Sequence, residues 1–101
     1  GLDPECLHAL AFDEDTPIAT GRLLKDGHIG RVAVLAPYRN QGIGTLIMKS
    51  LITTARNRSF QSVILSSQTQ AIPFYKQLGF QTQGPIYQDA GIDHIDMALK
   101  L

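Results

Sequence analysis

The apolar pattern changes period along this chain, and each change marks a new element. Leu7–Phe12 and Ile18–Leu24 are short apolar-rich runs, separated by Asp13-Glu14-Asp15-Thr16-Pro17, a polar, proline-bearing turn. They predict the two arms of a hairpin. Asp26-Gly27 is a favoured tight-turn pair, and residues 28–34, with Ile29, Val32 and Val34, predict a third strand. Beyond Pro37 the period lengthens. From Gly42 to Asn57, Ile43, Ile47, Leu51 and Ala55 recur at near-helical spacing, with Leu46, Met48 and Ile52 widening the stripe. Arg56 and Arg58 lie near the end of this helix, where positive charge suits the dipole. Ser62–Ser66 reads as a buried strand. Gln70–Leu78 predicts a second helix, with Pro73 tolerated only in its first turn and Gly79 as its cap. Phe80–Tyr87 and His94–Leu101 alternate and predict two closing strands joined through Asp89-Ala90-Gly91.

The order of elements is three strands, helix, strand, helix, two strands. It predicts a mixed α/β (α+β) fold with an antiparallel front and a central crossover, whose flanking strands run parallel. A length of 101 residues suits one compact domain, and 44% apolar against 18% charged residues supports a core over disorder. Nine basic residues balance nine acidic ones, so the footprint of a general nucleic-acid binder is missing. No like-charge run marks a membrane surface, no apolar stretch is long enough to span a bilayer, and no secretory signal is visible. Cys6 is the only cysteine, which leaves no intrachain disulfide framework and fits a reducing, cytoplasmic setting. It reads as a small residue near the start of a strand. His8 and His28 have no partner at metal-ligand spacing, so no metal is expected.

The chemistry concentrates in Arg39-Asn40-Gln41-Gly42-Ile43-Gly44, which follows a strand and opens a helix. A helix N-terminus presents unpaired amide protons and a partial positive charge that stabilise an anion. Gly42 and Gly44 remove side chains where backbone must approach a bulky phosphate pair, Arg39 offers a cation able to fork onto phosphate oxygens, and Thr45 adds a hydroxyl. Two glycines before a helix also serve simply to turn a strand into a helix, and the loop alone does not decide between the two. It is not a Walker loop, since no Lys-Ser or Lys-Thr pair follows the second glycine, and it lacks the three-glycine dinucleotide spacing.

The stretch from Val32 to Gly44 resembles the signature of the GNAT superfamily of N-acetyltransferases: Arg or Gln, two residues, Gly, one residue, then Gly or Ala. Ala71-Ile72-Pro73-Phe74-Tyr75-Lys76-Gln77-Leu78-Gly79-Phe80 resembles the second signature of that family, one strand later. The closing Asp89-Ala90-Gly91-Ile92-Asp93-His94 resembles a bacterial subgroup of small GNAT proteins. The resemblance implies a GNAT-like acyl-CoA N-acyltransferase fold, with a central, mostly antiparallel sheet and two helices. It implies an enzyme that transfers acetyl from acetyl-CoA directly to a primary amine, small-molecule or peptide. Val32, Ala33 and Val34 would pair their backbone with the pantetheine arm. Amides from Asn40, Gln41, Gly42, Ile43, Gly44 and Thr45 would bind the pyrophosphate, with the Arg39 side chain as a fixed cation beside them. Pantetheine would enter a gap between Val34 and Ser66, and a backbone amide near Val34 would polarise the thioester oxygen. Tyr75 would donate a proton to the departing thiolate; the bland alternative makes Phe74 and Tyr75 helix-core aromatics. His94 is available as a base or as a structural residue. Gln68 and Gln70 would bond the cofactor arm or cap the second helix.

A complete GNAT fold begins with a strand and two helices that line the acceptor pocket, and only six residues precede the first strand here. The expectation is therefore a single domain over 1–101 that lacks those elements and leaves apolar sheet surface for a partner chain, a homodimer included. A non-catalytic acyl-CoA-binding module is the alternative reading.

Overall fold

The computed structural model describes residues 6–101, leaving aside the side chains of Cys6 and Arg31. Cys6 opens the first strand; its side-chain environment lies outside the described residues. The hairpin forms as expected: β1 (Cys6–Asp13) pairs antiparallel with β2 (Thr16–Leu24), which pairs antiparallel with β3 (Ile29–Val34). Helix α1 (Ile43–Asn57) follows, then β4 (Ser62–Gln68), the short helix α2 (Ile72–Gln77), β5 (Gln81–Asp89) and β6 (Ile92–Lys100). The last three strands form a second antiparallel sheet in the order β4-β6-β5.

The crossover brings β3 and β4 side by side and parallel, but they meet only at a bridge between His28 and Ile64, where the Ile64 amide donates to the Gly27 carbonyl at 3.0 Å. The sheet is therefore two three-stranded halves rather than one continuous surface. Two local features hold this joint. The Asp26 carboxylate accepts the His28 amide at 3.0 Å, which lowers the Asp26 pKa chiefly through that backbone hydrogen bond. Gly27 sits at φ +94°, and a Cβ there would lie 3.0 Å from the Ser62 carbonyl oxygen.

Helix α1 buries the stripe Ile47, Met48, Leu51, Ile52 and Ala55, as its spacing predicts. It lies against β2 at Gly21, where an added Cβ would stand 2.7 Å from Ile47 Cγ2 and 2.9 Å from Leu51 Cδ1. The core continues through Leu23, Val63, Leu65, Phe80 and Met97. On the first sheet, Leu10 is left 55% exposed, alternating away from buried Ala9.

Both helices end the same way. Phe60 and Ser59 amides bond back to Ala55 and Arg56 carbonyls, and Phe80 and Gly79 amides to Tyr75 and Lys76 carbonyls. This double bond pattern satisfies carbonyls left over in the last turn and swings the next residue under the helix. The second helix is shorter than expected: Thr69–Ala71 winds as a tighter 3-10 turn, and Pro73 falls in the first turn of α2. Strand β5 departs from the expected alternation, being exposed along its whole length at the sheet edge. Between Gln83↔Asp96 and Tyr87↔His94 it carries four steps against two on β6, so it bulges outward over Gly84-Pro85-Ile86.

Because Ile47 is β-branched and stiff in a helix, it cannot retreat from a larger residue at position 21. Gly21→Val is expected to destabilise the protein by about 1–3 kcal/mol through overpacking, measured as a lowered urea midpoint at unchanged slope.

Candidate functional site

The candidate site lies where β3 runs out. Antiparallel strands turn successive residues to opposite edges. The Leu35 amide donates to the Ile18 carbonyl at 2.8 Å, on the β2 side, so Val34 turns its own N–H and C=O toward the other edge, facing β4. Arg39 Nε donates to that Val34 carbonyl at 3.0 Å. This bond fixes the guanidinium at the strand end through Nε alone, and it leaves the Val34 N–H as the group pointing into the gap.

From Val34 the chain passes a 3-10 turn at Ala36–Tyr38 and reaches Asn40 and Gly42, both with positive φ, 63° and 80°. Gly42 is the left-handed N-cap of α1, a conformation that a Cβ would strain. The first helical bond to form is Leu46 N–H to the Gly42 carbonyl at 3.1 Å. The amides of Ile43, Gly44 and Thr45 therefore lack intrahelical partners. No side chain caps them, and no acidic residue lies in the first turn. A helix end left with open donors and uncompensated positive charge favours an anion.

The loop is pinned at two further points. Gln41 Nε2 donates to the Pro37 carbonyl at 3.2 Å, and the Tyr38 hydroxyl donates to Asp13 Oδ2 at 2.8 Å on the β1–β2 turn. The Asp13 hydrogen bond, with desolvation and the carboxylate charge behind it, raises the Tyr38 pKa.

A cleft of about 520 Å³ opens beside the loop, lined by Val34, Tyr38, Arg39, Asn40, residues 42–45 and Phe74. It brings together seven of the expected contact residues: Val34, Arg39, Asn40, Gly42, Ile43, Gly44 and Thr45. Gln41 is held aside by its bond to Pro37. The Val32 side chain packs against the core, and Ala33 lines an adjoining cavity of about 310 Å³ that shares Val34 and Arg39 with the cleft. A Cβ on Gly44 would meet Phe74 Cζ at 3.7 Å and Val34 Cγ2 at 3.8 Å, ordinary contact distances. Alanine fits there and anything larger intrudes on the cleft.

Tyr75 stands one residue past that wall. Its ring packs edge-on against Phe74 at 5.0 Å and Phe80 at 6.0 Å, and it joins the partly buried rim of the core. Both α2 aromatics thus have a packing role, and Phe74 is the one that lines the cleft. Among the described residues the Tyr75 hydroxyl has no hydrogen-bond partner, and burial raises its pKa, so it stays protonated at neutral pH. Gln70 bonds to Gln68, and neither caps a helix. His94 Nδ1 lies 2.9 Å from the Ile92 carbonyl and the ring stacks on Tyr87. Among the described residues no three His, Cys, Asp or Glu side chains converge as a metal site.

Sequence reasoning missed the Tyr38–Asp13 pin and the hydrogen bonds that join Ser66, Tyr87 and Asp96 across the second sheet. The parity of Ser66, His94 and Asp96 was a usable signal for one face; the bulge that aligns Tyr87 with them had none.

Residues 2–101 match the family model described as an acetyltransferase (GNAT) domain. The uncharacterized N-acetyltransferase YjcF of Bacillus subtilis is 38% identical over 100 residues, which span 95% of this chain and 71% of YjcF. Escherichia coli ElaA superposes with a TM-score of 0.89 at 28% identity, over 98% of this chain and 71% of ElaA. An acyl-CoA N-acyltransferase from Pseudomonas aeruginosa superposes with a TM-score of 0.87 at 28% identity, over 97% of this chain and 70% of that one.

Burial raises the Tyr75 pKa above the ordinary tyrosine value of 10.0. Stability from the neutral buried phenol is complete below that value and is lost as pH rises through the folded-state value. Thermal midpoints followed upward from roughly pH 9 are expected to fall less steeply for Tyr75→Phe than for the wild type.

Proposed function

The chain belongs to the GNAT acetyltransferase family, and from that premise we propose that it transfers the acetyl group of acetyl-CoA directly to a primary amine, with the cofactor's pyrophosphate on the first turn of α1. The observation that carries this reading is the set of uncapped amides at Ile43, Gly44 and Thr45, with no acid in the first turn, beside a cleft that Val34 lines at the end of β3. A diphosphate supplies the charge and the acceptors that this helix end lacks. The free edge of β3 offers main-chain groups to an extended pantetheine arm, as a sheet edge does to an added strand.

The chemistry then follows from what borders the gap. The neutral amine attacks the thioester carbon, a C–N bond forms, and the C–S bond breaks with its electron pair going to sulfur. The Val34 N–H, pointing into the gap, is placed to bond the carbonyl oxygen as negative charge develops. Tyr75, kept protonated by burial, is the donor for the departing thiolate. The one proton that the attacking amine sheds returns through solvent to the Tyr75 phenolate, so amine and thioester become amide and thiol with the phenol restored. A binding module without turnover would share the cleft but have no use for a protonated phenol next to it.

Two variants separate binding from chemistry. Gly44→Ala is expected to leave coenzyme A binding intact, whereas Gly44→Leu weakens it by about tenfold or more, read by calorimetry. Tyr75→Phe should bind coenzyme A normally and release thiol from acetyl-CoA and an amine about a hundredfold more slowly or worse. Equal thiol release by Tyr75→Phe and wild type contradicts the donor role; no thiol release by the wild type with any of a broad set of amines, despite coenzyme A binding, supports the module instead.

A further inference from the structure

The second sheet has one face packed under the helices and one face open. Val63, Leu65, Ile95 and Met97 alternate onto the packed face and are buried. By the same alternation Ser66 on β4, and His94 and Asp96 on β6, take the open face, in register with one another: Ser66 opposite Asp96, and Tyr87 opposite His94. The bulge in β5 sets Tyr87 opposite His94 on this face, and its side chain reaches across β6. The Tyr87 hydroxyl hydrogen-bonds Asp96 Oδ1 at 2.8 Å and also Ser66 Oγ, while its ring stacks on His94 with centroids 6.1 Å apart.

The proton positions of this cluster can be counted. A carboxylate only accepts, so Tyr87 spends its one proton on Asp96, and its oxygen receives the Ser66 hydroxyl. The phenol stays protonated: the Ser66 bond pulls its pKa down, but Asp96, desolvation and the nearby charges of Asp96 and Asp89 together push it up further. A backbone carbonyl also only accepts, so His94 donates from Nδ1 toward Ile92, and in the neutral ring Nε2 keeps a lone pair. What the face offers outward is therefore acceptors: the second Asp96 oxygen, the remaining lone pair of Tyr87 and His94 Nε2. Asp96 forms no ion pair among the described residues, and Asp89 adds a second negative charge on the same side of β5.

We infer that the Ser66–Tyr87–Asp96–His94 cluster is the acceptor subsite of the transfer reaction and that it selects a primary ammonium group. A primary ammonium carries one positive charge and three donors, which matches one carboxylate and a fan of acceptors. A neutral alcohol or an anionic acceptor satisfies neither the charge nor the donor count. The cluster also borders the place of reaction. Ser66 lies two residues, about 7 Å, beyond Ile64, where β4 last touches β3. The helix end and Phe74 crowd the gap from the helix face, so an acceptor approaching from the open face reaches the thioester without crossing the cofactor. His94 Nε2 is then the base that relieves the bound ammonium of its first proton and leaves the amine neutral for attack.

The inference rests on the acetyl-transfer reading above, and the experiment separates the two. The isotope-labelled chain is titrated with n-butylammonium chloride, with and without coenzyme A, and amide shifts are followed by NMR; n-butanol serves as the uncharged control. Saturable shifts at residues 66, 87, 94 and 96 with butylammonium and not with butanol are expected. Asp96→Asn and His94→Gln should each weaken that binding by about tenfold or more, while leaving the shifts that coenzyme A produces at residues 42–45 unchanged. Equal shifts from butanol, shifts confined to other residues, or unaltered butylammonium binding by Asp96→Asn would overturn the subsite. Loss of the coenzyme A shifts at residues 42–45 in the wild type would instead overturn the cofactor cleft.

Discussion

The hydrogen bond from the Ile64 amide to the Gly27 carbonyl belongs to the bridge that joins the two halves of the sheet, and the candidate site exists because β3 and β4 do not go on to pair as a ladder. Had β3 and β4 continued to pair, the Val34 carbonyl and amide would be consumed in a ladder and no opening would lead from the helix face toward Ser66. Because they part, two strand edges with unmet main-chain groups face each other across a gap. Isolated edges of this kind are a liability. Here one is partly closed from within, by Arg39 Nε on the Val34 carbonyl.

The opening of α1 turns that gap into a directed site. A left-handed Gly42, three uncapped amides and an acid-free first turn put positive potential at the same end of β3. The helix is held in place by the close approach at Gly21 and the loop by Tyr38 on Asp13, so the donors do not need to be organised when a ligand arrives. The same approach explains why residue 44 is small: Phe74 and Val34 leave room there for one methyl group and no more.

Much of this was legible from residues alone, for reasons that differ by element. The stripe of α1, the Asp26-Gly27 turn, Pro73 at a helix start and Gly79 at its end each carry a local physical constraint, and each holds in the fold. So does the glycine loop as the start of a helix, because the left-handed turn at Gly42 leaves its mark in the residue that permits it. What was not legible depends on the joining of distant segments. Nothing in Gly84-Pro85-Ile86 says that β5 carries two residues more than β6 needs, and without that count alternation keeps Tyr87 on the same face but sets it opposite Ile92 rather than His94. What fixes Arg39 was not legible either, because its tether is a carbonyl that only the folded strand exposes. The α2 aromatics read as alternatives, core or catalysis, whereas the packing lets one wall the cleft and the other share the core while its hydroxyl stays unpaired.

The account turns on the diphosphate lying on the first turn of α1. A crystal structure of the chain soaked with coenzyme A tests this directly. The account predicts pyrophosphate oxygens within hydrogen-bond distance of the Ile43, Gly44 and Thr45 amides, with the pantetheine arm running along the free edge of β3 toward Ser66. A coenzyme A bound with its pyrophosphate away from those amides, or a first turn that stays empty at saturating ligand, would contradict it.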